Sequence, residues 1–277
     1  MRIKRIVVGP AGTTYTPVAI TRAVTLAQTH DAEVTGVTVL DARRVRGLAW
    51  MAPPSRKDVD ANRDRRVAIT DDRLTRSIHD FEAVCQAEQV KYRVVQESGD
   101  AFTKLIELAR YHDLMVFGLR SVLEYDFLCP DPQALLMRLV GAGVRPLIAV
   151  SREFRQIHHV LIAYSGTMES AKAMKRFAQL GLRPSARLKI LTFGVTDDEG
   201  RQLTADAADY CQAHGYTVDR RSNPGEARHL LLAAAALWQA DLIVMGNSAR
   251  SVLLRHVLGD TLQDVLHRVD IPLFLAQ

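Results

Sequence analysis

Short runs of apolar, largely β-branched residues alternate along the chain with longer stretches whose apolar positions recur every three or four residues. The short runs predict strands at Arg5 to Gly9, Val34 to Leu40, Tyr92 to Gln96, Leu114 to Phe117 and Leu147 to Val150. A second set follows at Val160 to Ala163, Leu188 to Phe193, Tyr216 to Arg220, Leu242 to Met245 and Leu273 to Leu275. Several are apolar at every position rather than at every second one, the pattern of a strand buried on both faces. The longer stretches read as helices. Thr16 to Thr29 and Glu169 to Leu180 are the first of each half, and the latter carries Ala171, Met174 and Ala178 on one face. In the final helix Leu262, Val265, Leu266 and Val269 stand at i, i+3, i+4 and i+7. The matching helix of the first half is signalled by Asp131 as N-cap and Pro132 at the first helical position, ahead of Leu135, Leu139 and Val140.

The two halves are copies of one another. Cys85-Gln86-Ala87 returns as Cys211-Gln212-Ala213, Gly99 as Gly225 and Pro146-Leu147 as Pro272-Leu273, always 126 positions later. Asp113-Leu-Met-Val-Phe-Gly118 returns as Asp241-Leu-Ile-Val-Met-Gly246, and Arg5 to Gly12 matches His159 to Gly166. Strand-helix alternation with buried strands implies a parallel sheet covered on both faces. The expected fold is therefore α/β: two tandem, doubly wound, parallel five-stranded domains of Rossmann-like type. They span residues 1–151 and 157–277, with a polar linker at Ser151 to Gln156.

The first copy carries an insertion at about residues 43–73. It crowds ten cations, from Arg43 to Arg76 and including Lys57, around Pro53-Pro54 and interleaves them with Asp58, Asp60, Asp64, Asp71 and Asp72. The polar run Arg56 to Asp72 reads as a flexible loop leading into a helix near Ile69 to Cys85. Because its charges largely cancel, the insertion favours a solvated face or subunit contact over nucleic acid.

At 277 residues the chain suits two domains, each with its own core. The longest apolar run, Leu230 to Trp238, is too short for a membrane span. After Met1-Arg-Ile-Lys-Arg only Ile6-Val7-Val8 precedes Gly9-Pro10, unlike a signal peptide, so a cytosolic location is expected. Cys85 and Cys211 occupy equivalent places and Cys129 is alone, which reads as reduced, half-buried thiols rather than a disulfide framework. A net charge of +5 suits small anionic ligands or nucleic acid without demanding either.

Ligands of doubly wound sheets bind beyond the carboxyl ends of the strands, where the strand order reverses. In the second copy those ends are Tyr164 to Thr167 and Gly246 to Thr261. The latter segment runs glycine, two residues, Ala249, nine residues, Gly259 and the polar pair Asp260-Thr261 opening a helix. Small residues let backbone approach a phosphate closely, and free N–H groups at a helix start favour its negative charge.

With the tandem plan, the Asp-Leu-Ile-Val-Met-Gly strand and the closing Asp270-Ile-Pro-Leu-Phe-Leu, this loop resembles that of the universal stress protein family. The resemblance covers nearly the whole chain except the insertion. It implies a stress-response protein in which Gly-x-x-Gly, nine residues, then Gly-Ser or Gly-Thr hold the phosphates of an adenine nucleotide, while an aspartate after the first strand contacts the nucleoside. The candidate binding residues are thus Ala163, Ser165, Gly166, Met245, Gly246, Ala249, Gly259, Asp260 and Thr261, and the candidate ligand is ATP or a related adenine nucleotide. Ala249 replaces the second glycine, Ser165 the aspartate and Asp260 the hydroxyl residue. A lost hydroxyl bond weakens binding by about 1 kcal/mol, and a carboxylate about 4 Å from a phosphate opposes it by roughly 1 to 4 kcal/mol. Thr261 one position later, or Mg²⁺ held by Asp260, offers a rescue; otherwise Asp260 caps its own helix.

In the first copy Ala11 replaces the aspartate and Gly118 to Asp131 lacks the glycine pair, so at most one pocket is expected, in the second copy. The first copy then serves as a dimer-like partner, a pseudo-dimer with a homodimer as an extension. Enzymatic readings find little support. Tyr164-Ser165-Gly166 lacks the flanking glycines of a nucleophile elbow, and neither a Gly-x-x-x-x-Gly-Lys-Ser loop nor a His-Glu-x-x-His helix occurs. Two alternatives stand beside the ligand-binding reading: a slow Mg²⁺-dependent nucleotide hydrolase using Asp260, and an interaction protein with both sites vestigial.

Overall fold

A computed structural model describes residues 2–40, 56–120, 134–142, 146–246 and 260–276. By internal packing the chain forms two compact units, Ile3–Leu139 and Val140–Gln277, the latter together with Met1–Arg2.

The first unit holds β1 (Arg5–Val8), α1 (Thr16–His30), β2 (Glu33–Leu40), α2 (Arg56–Ala87), β3 (Tyr92–Ser98), α3 (Ala101–Ala109) and β4 (Leu114–Gly118), followed in the chain by α4 (Ala134–Gly141). Its strands lie in the order β3-β2-β1-β4, and every pairing is parallel. β4 is buried at every position, whereas no residue of the edge strand β3 is buried.

The insertion differs from its sequence reading. From Arg56 to Ala87 the chain is one 32-residue helix rather than a loop that turns helical near Ile69. Arg56 to Ala87 contains neither Gly nor Pro, so nothing interrupts the helix. Its lower half carries the periodic apolar face: Leu74, Ile78, Phe81 and Cys85 are buried. A Cβ on Gly36 of β2 would come within 2.6 Å of the Phe81 ring, so that glycine makes room for the aromatic. Asp131, Pro132 and Cys129 lie outside the described residues.

In the second unit β5 (Leu147–Val150) precedes β6 (His159–Ala163), α5 (Met168–Leu180), β7 (Arg187–Phe193), α6 (Asp197–Ala213), β8 (Thr217–Asn223), α7 (Ala227–Leu237), β9 (Leu242–Gly246), α8 (Asp260–Arg268) and β10 (Leu273–Ala276). The strand order is β5-β10-β9-β6-β7-β8. All neighbours are parallel except β5, which runs antiparallel to β10 with Ile148 opposite Phe274. Four-strand order and handing-over of the chain repeat those of the first unit. So does a backbone clamp: Asp113 accepts the N–H groups of Lys4 and Arg5 at 2.7 and 3.0 Å, and Asp241 accepts those of His158 and His159 at 2.9 Å each. The clamps tie the starts of β1 and β6 to the residues just before β4 and β9.

Candidate functional site

In the second unit β6 leads on to β7 on one side, and the chain returns to its other side as β9, so the strand order reverses between β6 and β9. The crevice beyond their carboxyl ends is the position where such sheets take ligands. From β6 the chain turns through Tyr164 to Thr167. Tyr164 N–H donates to the Leu191 carbonyl at 2.9 Å, extending the ladder by one residue. Gly166 then adopts φ +74°, which favours glycine, and Thr167 caps α5 by accepting the Ser170 N–H at 3.3 Å. Ser165 N–H lies 3.3 Å from Ser170 Oγ, and the Ser165 and Thr167 hydroxyls are 3.1 Å apart. Ser165, Gly166 and Thr167 are exposed and Ala163 is half-buried, so this small polar turn faces solvent.

Met245 and Gly246 end β9 beside it. A Cβ on Gly246 would lie 2.4 Å from the Glu169 carbonyl oxygen and 2.8 Å from the Ser170 nitrogen. The close backbone approach expected of this glycine is therefore made, at least in part, by the first turn of α5. Thr261 lies half-buried in the first turn of α8. Ala249 and Gly259 lie outside the described residues; of Asp260 only the backbone, the start of α8, is described. The structure thus brings Ala163, Ser165, Gly166, Met245 and Gly246 to the ends of two adjacent strands.

Sequence reading missed Glu169 and Ser170. Thr167-Met-Glu-Ser170 has the spacing of a helix cap, which could have flagged Ser170; the meeting of Glu169 with Gly246 is made through space and left no signal. It also placed the thiols too near the surface. Cys85 and Cys211 are free and fully buried, and burial pushes each up to about 12.

The equivalent turn of the first unit is closed only up to Ala11; Gly12 is exposed and Thr13 half-buried. Gly9, Pro10 and Ala11 are buried, Ala11 to 1% exposure, and Gly12 N–H donates to Ser77 Oγ of α2 at 3.2 Å. No group of His, Cys, Asp and Glu side chains suited to a metal ion occurs among the described residues. No described helix is long and apolar enough to cross a membrane.

The universal stress protein family model matches residues 2–122 and 194–277, and the chain belongs to that family. The matched segments include the strand and loop from Asp241 to Thr261 but not the Tyr164 to Thr167 turn. Universal stress protein Slr1230 of Synechocystis sp. is 23% identical over 189 residues, 68% of this chain; the match spans 66% of that relative's length. A universal stress protein from Archaeoglobus fulgidus DSM 4304 has the same fold over 100% of this chain and 97% of its own, at 13% identity and a TM-score of 0.64. A functionally unknown protein from Pseudomonas aeruginosa PAO1 aligns over 99% of this chain and 92% of its own, at 17% identity and a TM-score of 0.61.

Proposed function

We propose that the protein is a cytosolic stress-response module of the universal stress type that binds one adenine nucleotide, ATP or a relative, in the crevice between β6 and β9 of its second copy. One observation carries this reading: the turn after the first strand has an exposed, polar Ser165 in the second copy, beside the exposed Gly166 and Thr167, whereas its equivalent in the first copy, Ala11, is apolar and buried, and Ser77 takes the neighbouring Gly12 N–H. Family membership and the glycine-bearing segment from Gly246 to Thr261 supply the ligand class. The hydroxyl cluster of Ser165, Thr167 and Ser170 stands where the nucleoside would be held. The fully buried, unpaired thiols of Cys85 and Cys211 agree with a reducing compartment.

Calorimetry on the full chain tests the reading through Asp260, which stands in the sequence where the family carries a hydroxyl residue. Asp260→Ser is expected to tighten ATP about tenfold or more, and adenosine far less, because only ATP carries the charge that Asp260 opposes. Absence of heat with ATP in both proteins would refute the nucleotide assignment. Weaker ATP binding by the variant, confined to buffers with Mg²⁺, would instead make Asp260 a metal ligand.

A further inference from the structure

At the opposite, amino-terminal end of the first unit's strands, a cleft of about 240 Å³ opens between β3 and α3, lined by the cations Arg5, Arg93 and Lys104, the carboxylates Glu97 and Glu107, and His112 among others. Its floor is a fixed polar cluster. His112 Nδ1 lies 2.7 Å from the Leu108 carbonyl oxygen and donates to it, leaving Nε2 as an acceptor. Nε2 lies 2.9 Å from Thr35 Oγ1 and 3.2 Å from an Arg93 terminal nitrogen, while Arg93 Nε donates to Thr35 Oγ1 at 2.9 Å. The Arg93 guanidinium is thereby held against the floor at two of its nitrogens, with Glu33 at 3.5 Å. Lys104 is matched by Glu97 at 3.1 Å and Glu107 at 3.9 Å. Arg5 is different: its guanidinium makes no hydrogen bond or ion pair among the described residues.

The second copy is an internal control. Strand register equates Arg5 with His159 and Thr35 with Lys189, since Arg5 pairs with Glu33 as His159 pairs with Arg187. The matching Asp113 and Asp241 equate His112 with Ala240 and the helix C-cap Arg110 with the C-cap Trp238. In the second copy the indole of Trp238 lies over this place, 5.2 Å from the His159 ring and 4.6 Å from Lys189 Nζ. One copy covers the position with an aromatic ring; the other leaves it open, lined by an ordered guanidinium and an unmatched one.

We propose that this cleft of the first copy binds a small oxyanion, a phosphate or carboxylate group, clasped between Arg5 and Arg93. A planar guanidinium matches such an anion with two parallel hydrogen bonds, and the cleft's volume suits a group or small metabolite rather than a whole nucleotide. The site is separate from the nucleotide crevice of the second copy in sequence and in unit.

The test uses the full chain at constant ionic strength, with inorganic phosphate and succinate as separate probes and the imidazole signals of His112 followed by NMR. Saturable, one-to-one shifts are expected with at least one probe, and which probe binds identifies the source of the oxyanion. Arg5→Gln should weaken the response about tenfold or more, the loss of one charge-assisted pair. Arg110→Trp, which installs the second copy's cover, should abolish it with the far-ultraviolet circular dichroism unchanged. Absence of saturation at His112 with both probes, or wild-type affinity in both folded variants, would overturn the proposal.

Discussion

Gly246 packs a bare α-carbon against the carbonyl of Glu169, and the position tolerates no larger residue without backbone movement. Gly246→Ala is therefore expected to destabilise the second unit by about 1 to 3 kcal/mol through overpacking. Urea denaturation measures it; an unchanged midpoint would show that α5 yields freely. His112 is equally constrained by burial, at 9% exposure. Burial, and secondarily the Arg93 and Arg5 charges, lower its pKa below the ordinary 6.5, although the bond to the Leu108 carbonyl acts the other way. The unfolded chain then binds more protons than the folded one as pH falls from about 6.5 towards the folded value, so this contribution to stability is present above that window and lost within it. Stability of the wild type should decline between pH 7.5 and 5.5 more steeply than that of His112→Gln, read as denaturation midpoints at each pH. Parallel curves would contradict the assignment. At this scale the sequence located the glycine after the strand but not its partner, because Glu169 lies in another element and reaches Gly246 only through packing.

Among elements, the strands were legible because those inside the sheet are apolar at consecutive positions, as in Leu114 to Phe117 and Leu242 to Met245. The helix α2 was legible only in its second half. Its first half has too few apolar residues to display a period, and alternating arginine and aspartate resemble a solvated loop; helix propensity and the lack of Gly or Pro decide otherwise. What anchors α2 is its apolar face, with Phe81 set over Gly36. Phe81→Ala should cost about 3 to 5 kcal/mol by leaving a cavity. Because Ser77 lies one turn earlier on the same helix, that variant should also speed amide exchange at Gly12, which Ser77 holds. Protection at Gly12 equal to wild type would separate α2 from the closure of the first turn.

For the whole molecule, duplication could be read directly from residues repeated at one spacing, and the recurring strand order and aspartate clamps agree with it. The inequality of the two copies could be read only in part. Ala11 and Ser165 announce altered turns, yet the hydrogen bond from Gly12 to Ser77 of α2, where the second copy sets Leu203 of α6 against Gly166, is made through space and left no signal. The central claim is that only the second copy takes a nucleotide, and photolabelling of the full chain with 8-azido-ATP, followed by peptide mass spectrometry, tests it most directly. The predicted result is one label per chain, competed away by ATP, on peptides from residues 157–277 that contain the Tyr164 to Thr167 turn or the Gly246 to Thr261 segment. Competable label on Gly9 to Gly12 or Gly118 to Asp131 of the first copy would contradict the account.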